Sequence, residues 1–206
     1  MTKNRLLNVA IVFTRILRIF YGLGFIVLMG FFIHFQAYPE VYKNFELVKR
    51  EKGIENKVIF DNLTFAKKQE VSTQKSDVEV SNNKKSFLLV NITSGALFFN
   101  FLKYSFILVF YFLATKEFEN VIQSVKKIKT FRNANILSFK KMGKCFFGVF
   151  ILSSYSYCSL VSDDHIYIHS NFNLSFTSLF FMVFALVIGE VFKEGNGLME
   201  ENELTV

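Results

Sequence analysis

KEFENVIQSVKKIKTFRNANILSFKKMGK, residues Lys116–Lys144, decides how the rest of the chain is read. It holds eight basic residues (Lys116, Lys126, Lys127, Lys129, Arg132, Lys140, Lys141 and Lys144) against two acids, Glu117 and Glu119. A long apolar run lies on each side of it. Short Lys/Arg-rich connections between hydrocarbon-spanning helices stay on the cytoplasmic side of a membrane. The stretch therefore predicts a cytoplasmic connector, and every other segment is oriented by counting crossings from it.

Working outward, four apolar runs are expected to cross the bilayer: Ile19–Tyr38, Phe87–Ala114, Cys145–Val161 and Leu174–Phe192. A helix needs about 20 apolar residues to cover a hydrocarbon core of about 30 Å. The expected fold class is an all-α membrane protein with four transmembrane helices. Its organisation is a first helix with an interfacial segment (1–38), an extracytoplasmic loop of 48 residues (39–86), a second helix (87–114), the basic connector (115–144), a third and fourth helix (145–192) and an acidic cytoplasmic tail (193–206). Ahead of the first run, Asn4, Asn8, Arg15, Arg18 and Gly22 fall near one line at 100° per residue, a polar stripe whose arginines would snorkel to headgroups. The outer loop carries ten basic and eight acidic residues, so its lysines do not overturn the orientation. Its alternations within Lys57–Ala66 and Glu70–Val80 admit either a small β-hairpin or a loop without regular structure. The last outer turn, Ser162–Asn173, has no Lys or Arg, as a translocated segment should. Both termini are thus expected in the cytoplasm.

Composition agrees. Of 206 residues 51% are apolar, with 28 Phe, no Trp and a single Pro, gathered into runs too long for ordinary core helices. The net charge of +7 sits beside the spans, where it sets orientation and meets anionic lipid; it does not predict direct nucleic-acid binding. Cys145 and Cys158 would share a helix, 13 residues and about 20 Å apart, too far to bridge. No carboxylate pair, Ser/His or Cys/His constellation or HExxH motif points to an enzyme or a cofactor.

Three places carry candidate sites. Lys103 lies in the second run, 13 residues or about 20 Å from Lys116, with Asn100 and Tyr111 on the same face. A lone ammonium at that depth costs roughly 2.5–3.5 kcal/mol, so it either snorkels or marks an intramembrane polar site. In DDHIYIH, Asp163, His165 and His169 are weak metal-ligand candidates, too close in sequence to supply a full coordination shell. The connector and tail form the third. Phe118, Val121, Ile122 and Val125 make an amphipathic continuation of the second helix, with a break near Asn133–Asn135 and a further helix from Ile136. In the tail, Gly195 and Gly197 are expected to interrupt the fourth helix. The acids beyond them, with Leu198 and Leu204, would then either dock on a basic surface or fray.

The tail VFKEGNGLMEENELTV (Val191–Val206) resembles the closing signature of a family of uncharacterised bacterial four-span inner-membrane proteins. Phe192, Glu194, Gly195, Leu198, Glu201, Asn202, Leu204 and Thr205 match that signature, and Glu203 stands where Asp is more usual. TFRNANILSFKKMG (Thr130–Gly143) resembles the family's middle loop. The resemblance implies a bacterial inner-membrane location and frequent encoding beside a small helix-turn-helix regulator; it brings no activity. The expected function is a non-enzymatic regulatory or accessory membrane protein, with a transporter or channel subunit using the Lys103 face as the alternative. Expected partners are the lipid bilayer and either such a regulator or another membrane subunit.

Overall fold

The computed structural model describes residues 2–43, 45–48, 64–67, 86–127, 131–162 and 165–204. Four helices dominate it: α1 (Thr2–Ala37), α2 (Ser94–Lys126), α3 (Asn133–Ser154) and α4 (Phe176–Leu204). Three of them, α1, α2 and α4, are long and apolar enough to cross a membrane. Two compact units are distinguished within the chain.

The first unit contains residues 1–29, 102–154 and 173–206, and its regular elements among the described residues are all helices. Contacts fix an up-down-up-down order. Tyr21 stacks on Tyr111 and Gly24 meets Leu108, so α1 and α2 run antiparallel. Phe110 lies over Gly148 and Tyr111 meets Phe146, which sets α3 antiparallel to α2. At one end of α3 the Asn173 N–H donates to Ser154 C=O; towards the other, Phe139 packs on Gly189 and Phe192, so α4 returns beside α3. The buried centre is Ala114, Val121, Phe139, Met142 and Ala185. Most large apolar side chains of α1 face outward, Leu6, Val12, Ile19 and Ile26 among them. A helix apolar on its exposed side as well requires an apolar surrounding.

α1 is one uninterrupted helix of 36 residues, joining the expected interfacial segment to the first span. It stops where the single proline dictates. Tyr38, preceding Pro39, is driven out of helical geometry to φ −135°, and Pro39 opens a 3-10 turn to Tyr42.

The second unit contains residues 30–101 and 155–172. Strands β1 (Phe45–Val48), β2 (Thr64–Lys67) and β3 (Ser86–Leu88) form an antiparallel sheet in the order β2-β1-β3. β2 overlaps one expected alternation; Glu70–Val80 and most of Lys57–Ala66 lie outside the described residues. Strands β4 (Tyr155–Ser162) and β5 (His165–Phe172) pair along their full length. Phe35 and Leu89 are buried here with Tyr42, Ile92, Leu97 and Leu160 around them.

Several boundaries differ from expectation. The second helix begins at Ser94, not Phe87, because Phe87 belongs to β3 and Leu89–Asn91 to a 3-10 turn. Thr93 Oγ1 accepts the Ala96 N–H at 3.3 Å, the N-cap interaction that starts a helix. The third expected span, Cys145–Val161, is not one helix: α3 ends at Ser154 and β4 takes over. The residues that leave the helix, YSYCSLVS, are mostly weak helix formers (Ser, Tyr, Cys, Val), and they pair along their length with β5. Cys145 and Cys158 therefore lie on a helix and a strand, not on one helix. The expected turn Ser162–Asn173 is mostly β5. In the connector α2 runs on to Lys126 as expected, but the expected break at Asn133–Asn135 is itself helical. α3 already starts at Asn133 and runs unbroken to Ser154, so no separate short helix begins at Ile136. Gly195 and Gly197 do not interrupt α4, which continues to Leu204.

Candidate functional site

The helical unit gathers two polar and aromatic arrangements at one end of its bundle. The first is a charged clasp. Glu117 and Glu119 are two positions apart on α2, hence about 200° apart around its axis, and each grips a different neighbour. Glu119, with a side chain only 5% exposed, takes Arg15 Nε on Oε1 at 2.9 Å and lies 3.1 Å from Arg18 Nη2 through Oε2. Gln123 Nε2 also donates to its Oε1 at 2.9 Å. A buried carboxylate is tolerable only when so paired. Glu117 accepts the Ser138 hydroxyl at 2.7 Å and stands 3.6 Å from Lys141 Nζ, both on α3. Thus α2 holds α1 on one side and α3 on the other.

The second arrangement is a joint between the connector and α4. Phe131 meets Phe192 at 5.5 Å between centroids, and Phe192 meets Phe139 edge-on at 4.9 Å. A Cβ on Gly195 would fall 2.5 Å from the Phe131 ring, so this glycine is a socket. Gly143 makes the same room for Leu186, and Gly189 for Phe139. Small residues permit close helix approach where hydrocarbon offers no driving force between helices. Gly195, read from sequence as a helix breaker, lies within α4 with the Phe131 ring packed where a side chain would stand.

The sequence candidates are placed as follows. Lys103 is 8% exposed on α2, with its ammonium 5.5 Å from the centre of the exposed Tyr104 ring. Tyr111 stacks on Tyr21 at 5.7 Å. Asn100 belongs to the other unit, where it donates to the carbonyls of Ala96 and Tyr157 at 2.8 and 2.9 Å. His165 and His169 are β5 residues, and Asp163 lies outside the described residues. Among the described residues no three His, Cys, Asp or Glu side chains gather as a metal site requires. Of the tail signature, Phe192 and Gly195 enter the joint; Glu194, Leu198, Glu201 and Asn202 are exposed on α4. Leu204 ends α4 and Thr205 is outside the described residues.

Sequence reading missed the clasp. The signal was there in the two acids of an otherwise basic connector and in the arginine stripe of α1. From sequence the arginines read as snorkelling to headgroups and the two acids carry no role, because charge periodicity on one helix does not say which partner helix faces it.

A family model described as "Protein of unknown function (DUF2975)" matches residues 64–206. The chain belongs to that family. No curated protein and no solved structure matches it. In this DUF2975 protein the matched region contains both acids of the clasp and all four residues of the Phe131–Phe139–Phe192–Gly195 joint. Arg15 and Arg18 precede it.

Proposed function

We propose that the chain is a non-enzymatic integral protein of the bacterial inner membrane with a regulatory or accessory role. That role is exerted through a cytoplasmic platform made of the connector ends and the far part of α4. The observation that supports it is the joint: Phe131 and Phe139, from the stretch 130–143 of the family resemblance, meet Phe192 and Gly195 from the other such stretch, 191–206. Beyond the joint, Leu137, Val191, Leu198 and Met199 are exposed on α3 and α4 although charged residues surround them in sequence. Exposed apolar groups on such a surface suit a protein partner. A small helix-turn-helix regulator or a second membrane subunit fits; the platform is not read as a nucleic-acid surface. The whole reading keeps the connector and both chain ends in the cytoplasm.

The test is a bacterial two-hybrid assay of the full chain against a helix-turn-helix regulator encoded beside it. Leu198→Glu with Met199→Glu should abolish the interaction while the membrane-fraction level stays unchanged. Undiminished interaction in that variant would refute the platform.

A second reading, a small transport subunit, is favoured by the burial of Lys103 and by Ser105 Oγ, a buried hydroxyl with no hydrogen-bond partner among the described residues. Intramembrane ionisable groups commonly mark substrate or ion paths. Lys103→Met with a lost phenotype at normal abundance would favour it over the platform.

A further inference from the structure

We infer that Arg15 holds the phosphate of an anionic phospholipid in the leaflet beside the clasp; the inference rests on the membrane reading but not on any protein partner. Three observations carry it. The first is charge. Glu119 is the single carboxylate between two guanidinium groups, Arg15 and Arg18, leaving one positive charge in excess.

The second is geometry. Arg15 contacts Glu119 through Nε, and among the described residues its two terminal amino groups have no partner. Its side chain is 58% exposed, against 30% for Arg18. The bond at Nε fixes one edge of the planar group on the protein, so the remaining N–H groups are presented as a positioned fork. Such a fork matches two oxygens of one phosphate, which a lysine ammonium cannot do. Because Glu119 already orders the side chain, less conformational freedom is lost when a headgroup binds.

The third is place. Arg18 is the last formal charge before the stretch 19–37, which has no Asp, Glu, Lys or Arg and spans about 28 Å as a helix, close to a hydrocarbon core. Val12 and Ile19, about one turn either side of Arg15 and on its face, are exposed, as is the adjoining Ile16. A headgroup on the fork would lay its acyl chain along Ile16 and Ile19. Arg5, also exposed on α1, has no carboxylate to orient it among the described residues and is the natural control.

The experiment is native mass spectrometry of the full-length protein in mild detergent, titrated with phosphatidylglycerol and separately with phosphatidylcholine. The wild-type chain should retain one phosphatidylglycerol in preference to phosphatidylcholine. Arg15→Gln and Arg15→Lys should each weaken that retention by about tenfold, since both lose the fork, while Arg5→Gln should leave it unchanged. Arg15→Lys keeps the charge and a partner for Glu119, so it decides the matter even where Arg15→Gln folds poorly. Wild-type retention in Arg15→Lys would overturn the proposal in favour of general charge attraction. Equal retention of phosphatidylcholine would overturn the anionic class, and displacement of the lipid by millimolar inorganic phosphate would reassign the fork to a free anion. Leu198→Glu should not alter lipid retention, so a failure here and a failure of the platform are told apart.

Discussion

Glu119 is the residue on which most depends. Removing one partner of a buried ion pair leaves an uncompensated charge, a loss of about 3–5 kcal/mol when the whole pair is buried. Here both arginines reach the surface, so Glu119→Gln should cost less, about 1–2 kcal/mol, seen as a lower melting temperature of the detergent-solubilised protein. The two arginines should rank: Arg18→Gln should destabilise more than Arg15→Gln, because Arg18 is the less exposed of the two. An equal or reversed ranking in the same thermal assay would show that the clasp does not bear stability as described. Cys158 illustrates the opposite kind of residue. Burial on β4 pushes its thiol up, so the reactive thiolate is scarce at neutral pH. In a Cys145→Ser background, maleimide labelling of the folded protein should be slow at pH 7 and accelerate as pH is raised.

At the scale of elements, the glycines of α4 make opposite predictions. Gly197 has nothing within 4 Å of a would-be Cβ, so Gly197→Ala should be neutral or stabilise by up to about 1 kcal/mol through helix propensity. Gly195→Leu must displace Phe131 and should cost about 1–3 kcal/mol by overpacking, read as increased proteolysis at the connector. Equal behaviour of the two variants would remove the socket. These glycines also show where the sequence was legible. The long apolar stretches announce α1, α2 and α4, though not where α2 begins, and the spacing of Phe118, Val121, Ile122 and Val125 announces the continuation of α2. What one sequence lacked was tertiary context. Gly195 and Gly197 carry an intrinsic tendency to end a helix, yet α4 runs through both, and the Phe131 ring seated on Gly195 is a tertiary contact that the sequence does not display. An apolar run such as Phe87–Ile92 reads alike as strand or helix, and the Thr93 cap rather than hydropathy settles the start of α2. Tyr155–Val161 reads as the end of the third span because its length completes one, whereas the pairing with β5 that makes it a strand is not visible from hydropathy.

For the molecule as a whole, the direction of the helices is open to a direct test. With a cytoplasmic connector, single cysteines placed at Ser124 should resist an impermeant maleimide in intact cells, and cysteines at Ser76 should react. The reverse pattern would invert the orientation and move the proposed lipid fork to the outer leaflet. The short α3 has a separate implication, one of bilayer mechanics. Its lysines end at Lys144 and the helix ends at Ser154, leaving ten residues, about 15 Å, free of charge. That is roughly half the hydrocarbon thickness, while α1 offers enough for all of it. With α3 embedded as the proposed fourth crossing, a bilayer could not satisfy both flanks at one thickness. Hydrophobic mismatch would thin the lipid beside α3 or tilt the bundle, at a cost of fractions of a kcal/mol per ångström. Lipid thickness would then become a variable sensed at α3, and short-chain vesicles should raise the thermal stability relative to long-chain ones.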